Sequence, residues 1–190
     1  MFTKPVLQYF GPCKSTLVYL NLSFNCLQKL PSVVFECINL KVLKVRNNPL
    51  SVIPPEISKL RRLRILIAPF CRISEISKEL FRLPLLLYLD LSYNRLSELT
   101  PNIASAKELR FLNLAGNEIR GIPAVAMGLN IEKVRLKNNF MKRAFWSDLK
   151  RHQVTSLSSL ATAALPKAIV RNMKKEWAHK KYKVTEDLKN

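Results

Sequence analysis

Apolar residues recur along this chain at a fixed long interval, not in the short runs of an isolated helix or strand. The same order of positions returns at Leu17, Leu40, Leu63, Leu86 and Leu109, giving four windows of 23 residues, a fifth one residue shorter, and a partial sixth from Ile131. Apolar side chains hold the first, fourth, sixth, eleventh and fourteenth places, as in Leu17, Leu20, Leu22, Leu27 and Leu30. Leu40, Leu43, Val45, Leu50 and Ile53 repeat the pattern, as do Leu109, Leu112, Leu114, Ile119 and Ile122. Self-similarity at this period means a solenoid of stacked units. The alternation Leu-x-x-Leu-x-Leu predicts a short strand with one buried face. Asn25, Asn48, Asn94, Asn117 and Asn139 then turn the chain at the ninth place, with Cys71 there in the third window. Pro31, Pro54 and Pro123 are expected to start a return segment at its first helical or extended position. Val34, Ile57, Leu80, Ile103 and Ala126 carry that segment's apolar side toward the core. The predicted class is therefore an α/β solenoid: a short, curved parallel sheet on the concave side and short helices or extended turns on the convex side. Each buried Leu or Ile contributes about 1.5–3 kcal/mol, but no single repeat can bury its own stripe, so stability comes from stacking neighbours.

The pattern divides the chain into three. Residues 1–16 precede the first repeat as an N-terminal cap, broken into loop by Pro5, Gly11 and Pro12. So thin a cap raises the expectation that a longer form carries upstream repeats. Residues 17–141 are the repeats, five full and one partial. After Met141 the spacing is lost, and 142–190 form a basic tail, expected to be a helical C-terminal cap or a docking segment. Phe140, Phe145 and Trp146 gather where the last repeat needs a lid. Ser156–Leu165 predicts a helix with Leu157, Ala161, Ala164 and Leu165 on one face, and Pro166 kinks it or starts another. That second run places Ile169, Met173 and Trp177 on one side among Lys174, Lys175, Lys180 and Lys181.

Charge changes the picture more than composition does. Of the formal net charge of +19, residues 1–141 carry +11 (20 basic, 9 acidic) and residues 142–190 carry +8 (12 basic, 4 acidic). Such a field attracts acidic proteins, nucleic acid or anionic membrane alike. No apolar run approaches the roughly 18 residues of a membrane span, and Met1–Phe10 lacks the stretch of a secretory signal. The four cysteines, Cys13, Cys26, Cys37 and Cys71, show no paired spacing and predict a reducing, intracellular setting, cytoplasmic with nuclear entry open to the lysine-rich tail. Asn21-Leu22-Ser23 matches a glycosylation acceptor, but Asn21 falls within a predicted strand.

No catalytic constellation can be assembled. The two histidines, His152 and His179, stand in the tail without acidic or cysteine partners. Asp90 is the sole carboxylate on the predicted strand face, and four glycines form no phosphate loop. Neither enzyme activity, metal nor cofactor is expected.

Recognition is expected where strand side chains point away from the core, at the third, fifth, seventh and eighth places. These predict a protein-binding face of Tyr19, Phe24, Lys44, Arg46, Ile65, Ile67, Phe70, Tyr88, Asp90, Tyr93, Phe111, Asn113, Lys133 and Arg135. Aligned exposed aromatics mark interaction surfaces; the alternative is that the third-place residues pack on one another or under the tail. Lys133, Arg135 and Lys137, followed by Lys142 and Arg143, suit an acidic partner segment or a merely solvated edge. Nucleic acid is a further reading, since Lys174-Lys175-Glu176-Trp177 interleaves charge and aromatic. The chain is expected to be monomeric.

The repeats resemble the typical intracellular leucine-rich-repeat class, whose pattern Leu-x-x-Leu-x-Leu-x-x-Asn-x-Leu is written most fully at Leu86–Leu96. That resemblance implies a buried asparagine ladder along the solenoid and a scaffold or adaptor role. Extracellular members usually carry cysteine-rich caps, which are not written here. The tail also resembles the elongin-binding box of leucine-rich-repeat substrate receptors of cullin ubiquitin ligases. Leu157, Ala161 and Leu165 match the box, Leu165-Pro166 with Ile169 matches the cullin-contacting pattern, and Asn138-Asn139-Phe140 with Phe145-Trp146 is similar to the junction before it. The resemblance implies an elongin-type adaptor as partner; the alternative is a helix that only caps the last repeat.

Overall fold

At places three to five of every window the chain forms a three-residue strand. The computed structural model describes residues 13–141. In chain order the strands are β1 Tyr19–Asn21, β2 Val42–Lys44, β3 Val52–Ile53, β4 Ile65–Ile67, β5 Glu75–Ile76, β6 Tyr88–Asp90, β7 Phe111–Asn113 and β8 Lys133–Arg135. Six make one parallel sheet in the order β1-β2-β4-β6-β7-β8. Its register puts Tyr19, Val42, Ile65, Tyr88, Phe111 and Lys133 side by side. Central residues Leu20, Leu43, Leu66, Leu89 and Leu112 are buried, with Val134 packed against them. Side chains alternate along a strand, so the third and fifth places face the other way.

The return segments are five-residue 3₁₀ helices: Ser32–Glu36, Pro55–Lys59, Lys78–Arg82, Pro101–Ser105 and Ala124–Gly128. A 23-residue circuit leaves room for little more, and the tighter helix suits short pieces. Their apolar residues Val34, Ile57, Leu80, Ile103 and Ala126 are buried, as the pattern predicts. The prolines take the extended one of the two positions expected of them. Pro31, Pro54 and Pro123 are extended residues just before each helix, with ψ of 139, 163 and 138°. Pro55 and Pro101 take the first helical position instead. The sequence pattern also gave no sign of the small parallel pair β3–β5, which joins Val52 to Glu75 and Ile53 to Ile76.

The ladder stitches the turns together. Asn48 Nδ2 donates to the carbonyls of Val45 in its own repeat and Leu22 in the one before, each at 2.9 Å, and its Oδ1 accepts from Leu27 N at 3.1 Å. Asn94, Asn117 and Asn139 repeat this set. Cys71 keeps only the donor half: its thiol reaches Val45 O at 3.4 Å and Pro69 O at 3.7 Å. Among the described residues, every buried side-chain nitrogen and oxygen has a hydrogen-bond partner.

At the far end the expected lid differs in its one described member. Phe140 is 68% exposed, and the neighbouring Met141 fills the buried place. Odd and even positions face opposite ways after the turn, so one step exchanges them. Phe145 and Trp146, the tail helix expected from Leu157, Ala161, Leu165, Pro166 and Ile169, and the first twelve residues of the N-terminal cap lie outside the described residues.

Candidate functional site: the concave face

Three rows of side chains cross the outer side of the main sheet. The third-place row runs Tyr19, Val42, Ile65, Tyr88, Phe111 and Lys133, and the fifth-place row Asn21, Lys44, Ile67, Asp90, Asn113 and Arg135. The eighth places form a rim at the strand exits: Phe24, Asn47, Phe70, Tyr93, Gly116 and Asn138.

Every rim residue has a positive φ, between 53° and 69°. The repeat imposes it, because the rim N–H must reach the seventh-place carbonyl of the next repeat. Phe24 N donates to Arg46 O at 2.8 Å, Phe70 N to Ser92 O at 3.1 Å and Tyr93 N to Ala115 O at 2.7 Å. Glycine and asparagine tolerate this left-handed region; a bulky ring there costs about 1–2 kcal/mol. Three aromatics are nonetheless held in it, and strain of this kind concentrates at functional sites.

In-phase repeats bring like residues into stacks. Tyr88 lies on Phe111 with centroids 4.2 Å apart, and Phe70 on Tyr93 at 4.5 Å, each pair within 5° of parallel. Cations sit over two of these rings and over two others: Lys44 over Tyr19 at 5.2 Å, Arg135 over Phe111 at 5.6 Å, and Arg46 between Phe24 and Phe70 at 5.3 Å from each. Cation–π contacts of this range contribute about 0.5–1 kcal/mol where exposed.

The fourteen predicted residues are not equally available. Tyr19, Phe24, Arg46, Phe70, Tyr93, Lys133 and Arg135 are exposed, while Lys44, Ile65, Ile67, Tyr88, Asp90 and Phe111 are half-buried. Asn113 is buried at 7% and committed internally, its Oδ1 accepting from Ala115 N and its Nδ2 donating to Asp90 Oδ2 at 3.1 Å. A residue at the end of a strand closes the turn after it, which the alternation rule does not capture. Asp90 is likewise occupied, accepting at Oδ1 from Ser92 N at 2.9 Å and Ser92 Oγ at 2.6 Å. Burial raises the Tyr88 phenol above its ordinary value, with the Asp90 charge adding to the rise and Arg135 opposing it. The basic residues of the face have no carboxylate within ion-pair distance among the described residues, where the ion pairs are Lys14–Glu36 and Arg110–Glu108. No group of three His, Cys, Asp or Glu side chains suited to a metal ion occurs among the described residues.

Val42, though its third place faces outward, was not among the named residues, and sequence reasoning missed Asn47, which orients Arg46. It also missed the backbone state of the rim. The signal was present, since Asn47, Gly116 and Asn138 are the residue types that the left-handed region favours.

Six parallel strands, an asparagine ladder and a row of outward side chains define a repeat protein of the leucine-rich kind. Residues 15–73 and 61–119 match the leucine rich repeat family model, and the chain belongs to that family. No curated protein matches the sequence. Solved structures share the fold. A leucine-rich-repeat protein of Leptospira interrogans is 30% identical with a TM-score of 0.67, over 74% of this chain and 35% of its own. The leucine-rich-repeat ectodomain of the plant membrane receptor kinase GASSHO1/SCHENGEN3 from Arabidopsis thaliana, solved in complex with Casparian strip integrity factor 2, is 30% identical with a TM-score of 0.61, over 70% and 17%. An internalin from Listeria monocytogenes is 21% identical with a TM-score of 0.61, over 68% and 37%. The chain thus spans little more than a third of each at most. Solenoids of stacked repeats present extended concave surfaces that serve for binding. No helix among the described residues is long and apolar enough to cross a membrane.

Proposed function

We propose that this chain is a protein-binding module that takes an extended segment of a partner across its concave face. The observation that carries the reading is the strip of Val42, Ile65, Ile67, Tyr88 and Phe111 between two basic ends, Lys44 with Arg46 and Lys133 with Arg135. Apolar side chains in contiguous register favour a partner that covers them, and Tyr and Arg are the types that dominate interface energetics. The receptor kinase above was solved with a bound factor, which supports the general use of such faces. Affinity purification from the native cell, wild type beside Tyr88→Ala/Phe111→Ala, tests it. The double variant is expected to lose a specific partner while keeping its fold; an unchanged partner set contradicts the reading.

A finer reading makes the module the substrate receptor of an elongin–cullin ubiquitin ligase, acting inside the cell. It rests on Leu157, Ala161 and Leu165, with Pro166 and Ile169, following the Asn138-Asn139-Phe140 junction. Co-purification with the elongin heterodimer, abolished by Leu157→Ser, supports it. Folded wild-type protein that captures no elongin contradicts it and leaves a scaffold or adaptor whose tail closes the core.

A further inference from the structure

We infer that Arg46 is a carboxylate-binding anchor, so that the segment taken by the concave face is acidic. This deepens the protein-binding reading above and rests on it.

The argument starts from how the rim rings are turned. Parallel stacking along the strand-to-strand direction covers ring faces and leaves ring edges outward. Phe70 has Tyr93 on one face at 4.5 Å and the Arg46 guanidinium on the other at 5.3 Å. Tyr93 lies so close over Gly116 that a Cβ there would stand 2.5 Å from its Cδ1. Phe70 and Tyr93 nevertheless remain 46% and 47% exposed. The edge of an aromatic ring carries the positive side of its quadrupole, so this rim repels cations and accepts anions.

Arg46 enters that rim between its first and third positions, Phe24 and Phe70. The rings of Phe24 and Phe70 hold its guanidinium on both sides, 5.3 Å from each centroid. Its Nε donates to Asn47 Oδ1 at 3.2 Å, which fixes the rotation of the plane. The two terminal nitrogens make no hydrogen bond among the described residues, and such a pair has the fork geometry that grips a carboxylate with two parallel hydrogen bonds. No carboxylate among the described residues fills that place.

Nucleic acid offers a phosphate to the same fork, but its bases need open ring faces on which to stack. Here Phe70 lies between Arg46 and Tyr93, and Arg46 also lies against Phe24, so few ring faces stay open beside the fork, which favours a protein carboxylate. Arg135 lies four strands further along the sheet, about 19 Å away at the usual strand spacing. A second acidic residue some six positions along an extended segment reaches it.

Selection of random 12-residue peptides displayed on phage against the full chain tests this. Peptides with Asp or Glu at a fixed place beside apolar residues are expected. Affinity should fall about 10- to 100-fold in both Arg46→Gln and Arg46→Lys, since lysine keeps the charge and lacks the fork. Changing that acidic residue of the peptide to its amide should cost wild type as much and Arg46→Gln almost nothing, a comparison that survives any loss of stability in the variants. Enriched peptides that are lost in Tyr88→Ala but show no acidic preference overturn the inference and leave the concave face standing. Peptides indifferent to both Arg46 and Tyr88 overturn both. A 12-nucleotide oligouridylate that binds wild type, fails with Arg46→Gln and displaces the selected peptides assigns the fork to phosphate, and so overturns it.

Discussion

Tyr88 lies flat on Phe111, ring centroids 4.2 Å apart, because β6 and β7 pair in strict register at the third place of successive repeats. The pair joins two repeats on the side of the sheet away from the core. It therefore adds to the interface between neighbours, the quantity on which a solenoid's stability depends. Urea unfolding of Tyr88→Ala, Phe111→Ala and the double variant should give a coupling of about 0.5–1.5 kcal/mol. Additive single effects mean that the rings do not interact.

Cys71 is the one described rung of the ladder with no side-chain oxygen. Asn48 and Asn94 on either side each accept from a backbone N–H in the repeat before, Leu27 N and Ile73 N. Cys71→Asn should supply the missing acceptor and raise stability by about 1 kcal/mol. Asn94→Ala, which strands buried partners, should lower it by about 2–3 kcal/mol or more. Thermal and urea melts of the two variants check both signs.

Gly116 is held at φ +69° directly under the Tyr93 ring. Gly116→Ala should destabilise by about 1–2 kcal/mol through the left-handed backbone alone. It should also push Tyr93 off Phe70, visible as a change in the tyrosine ring resonances. Phe24→Asn acts in the opposite sense: the strain at φ 59° is relieved, so stability holds while partner binding weakens.

The cysteines separate by burial. Cys13 and Cys26 are exposed and Cys37 and Cys71 buried. Burial pushes both inner thiols above their ordinary value of 9.0, with the Glu36 charge adding to the rise at Cys37 and hydrogen bonds from the backbone of Asn48 and Asn47 opposing it at Cys71. Iodoacetamide should modify two cysteines quickly in the native protein and the other two only on unfolding. The same shifts fix a pH dependence. A folded state that keeps its thiol and phenol protons longer than the unfolded chain loses stability as pH rises through the ordinary thiol and tyrosine range. The urea midpoint should therefore fall from pH 8 to pH 10.5, with Tyr88 contributing above 10.0.

The core was legible because it is periodic. Places one, four and six of each window recur with so little variation that Leu43, Leu66, Leu89 and Leu112 could be assigned inward before any coordinates. The ladder was implied by the family resemblance that the ninth-place asparagines help to carry. Features set by only two or three residues were not legible. Whether Pro54 or Pro55 opens a helix turns on a single ψ angle, and Asn113 was placed outward because alternation ignores the turn that consumes its amide. The stacking of Arg46 between rings of two different repeats depends on three side chains far apart in sequence, and no local pattern announces it.

Site-specific photo-crosslinking in the native cell tests the central claim most directly. A photoreactive residue replaces Ile67, in the middle of the concave strip, or Ser58, exposed on the return side. The account predicts a discrete protein adduct from position 67 and none from position 58. Adducts from 58 alone, or the same adducts from both, would place recognition elsewhere on the molecule and contradict it.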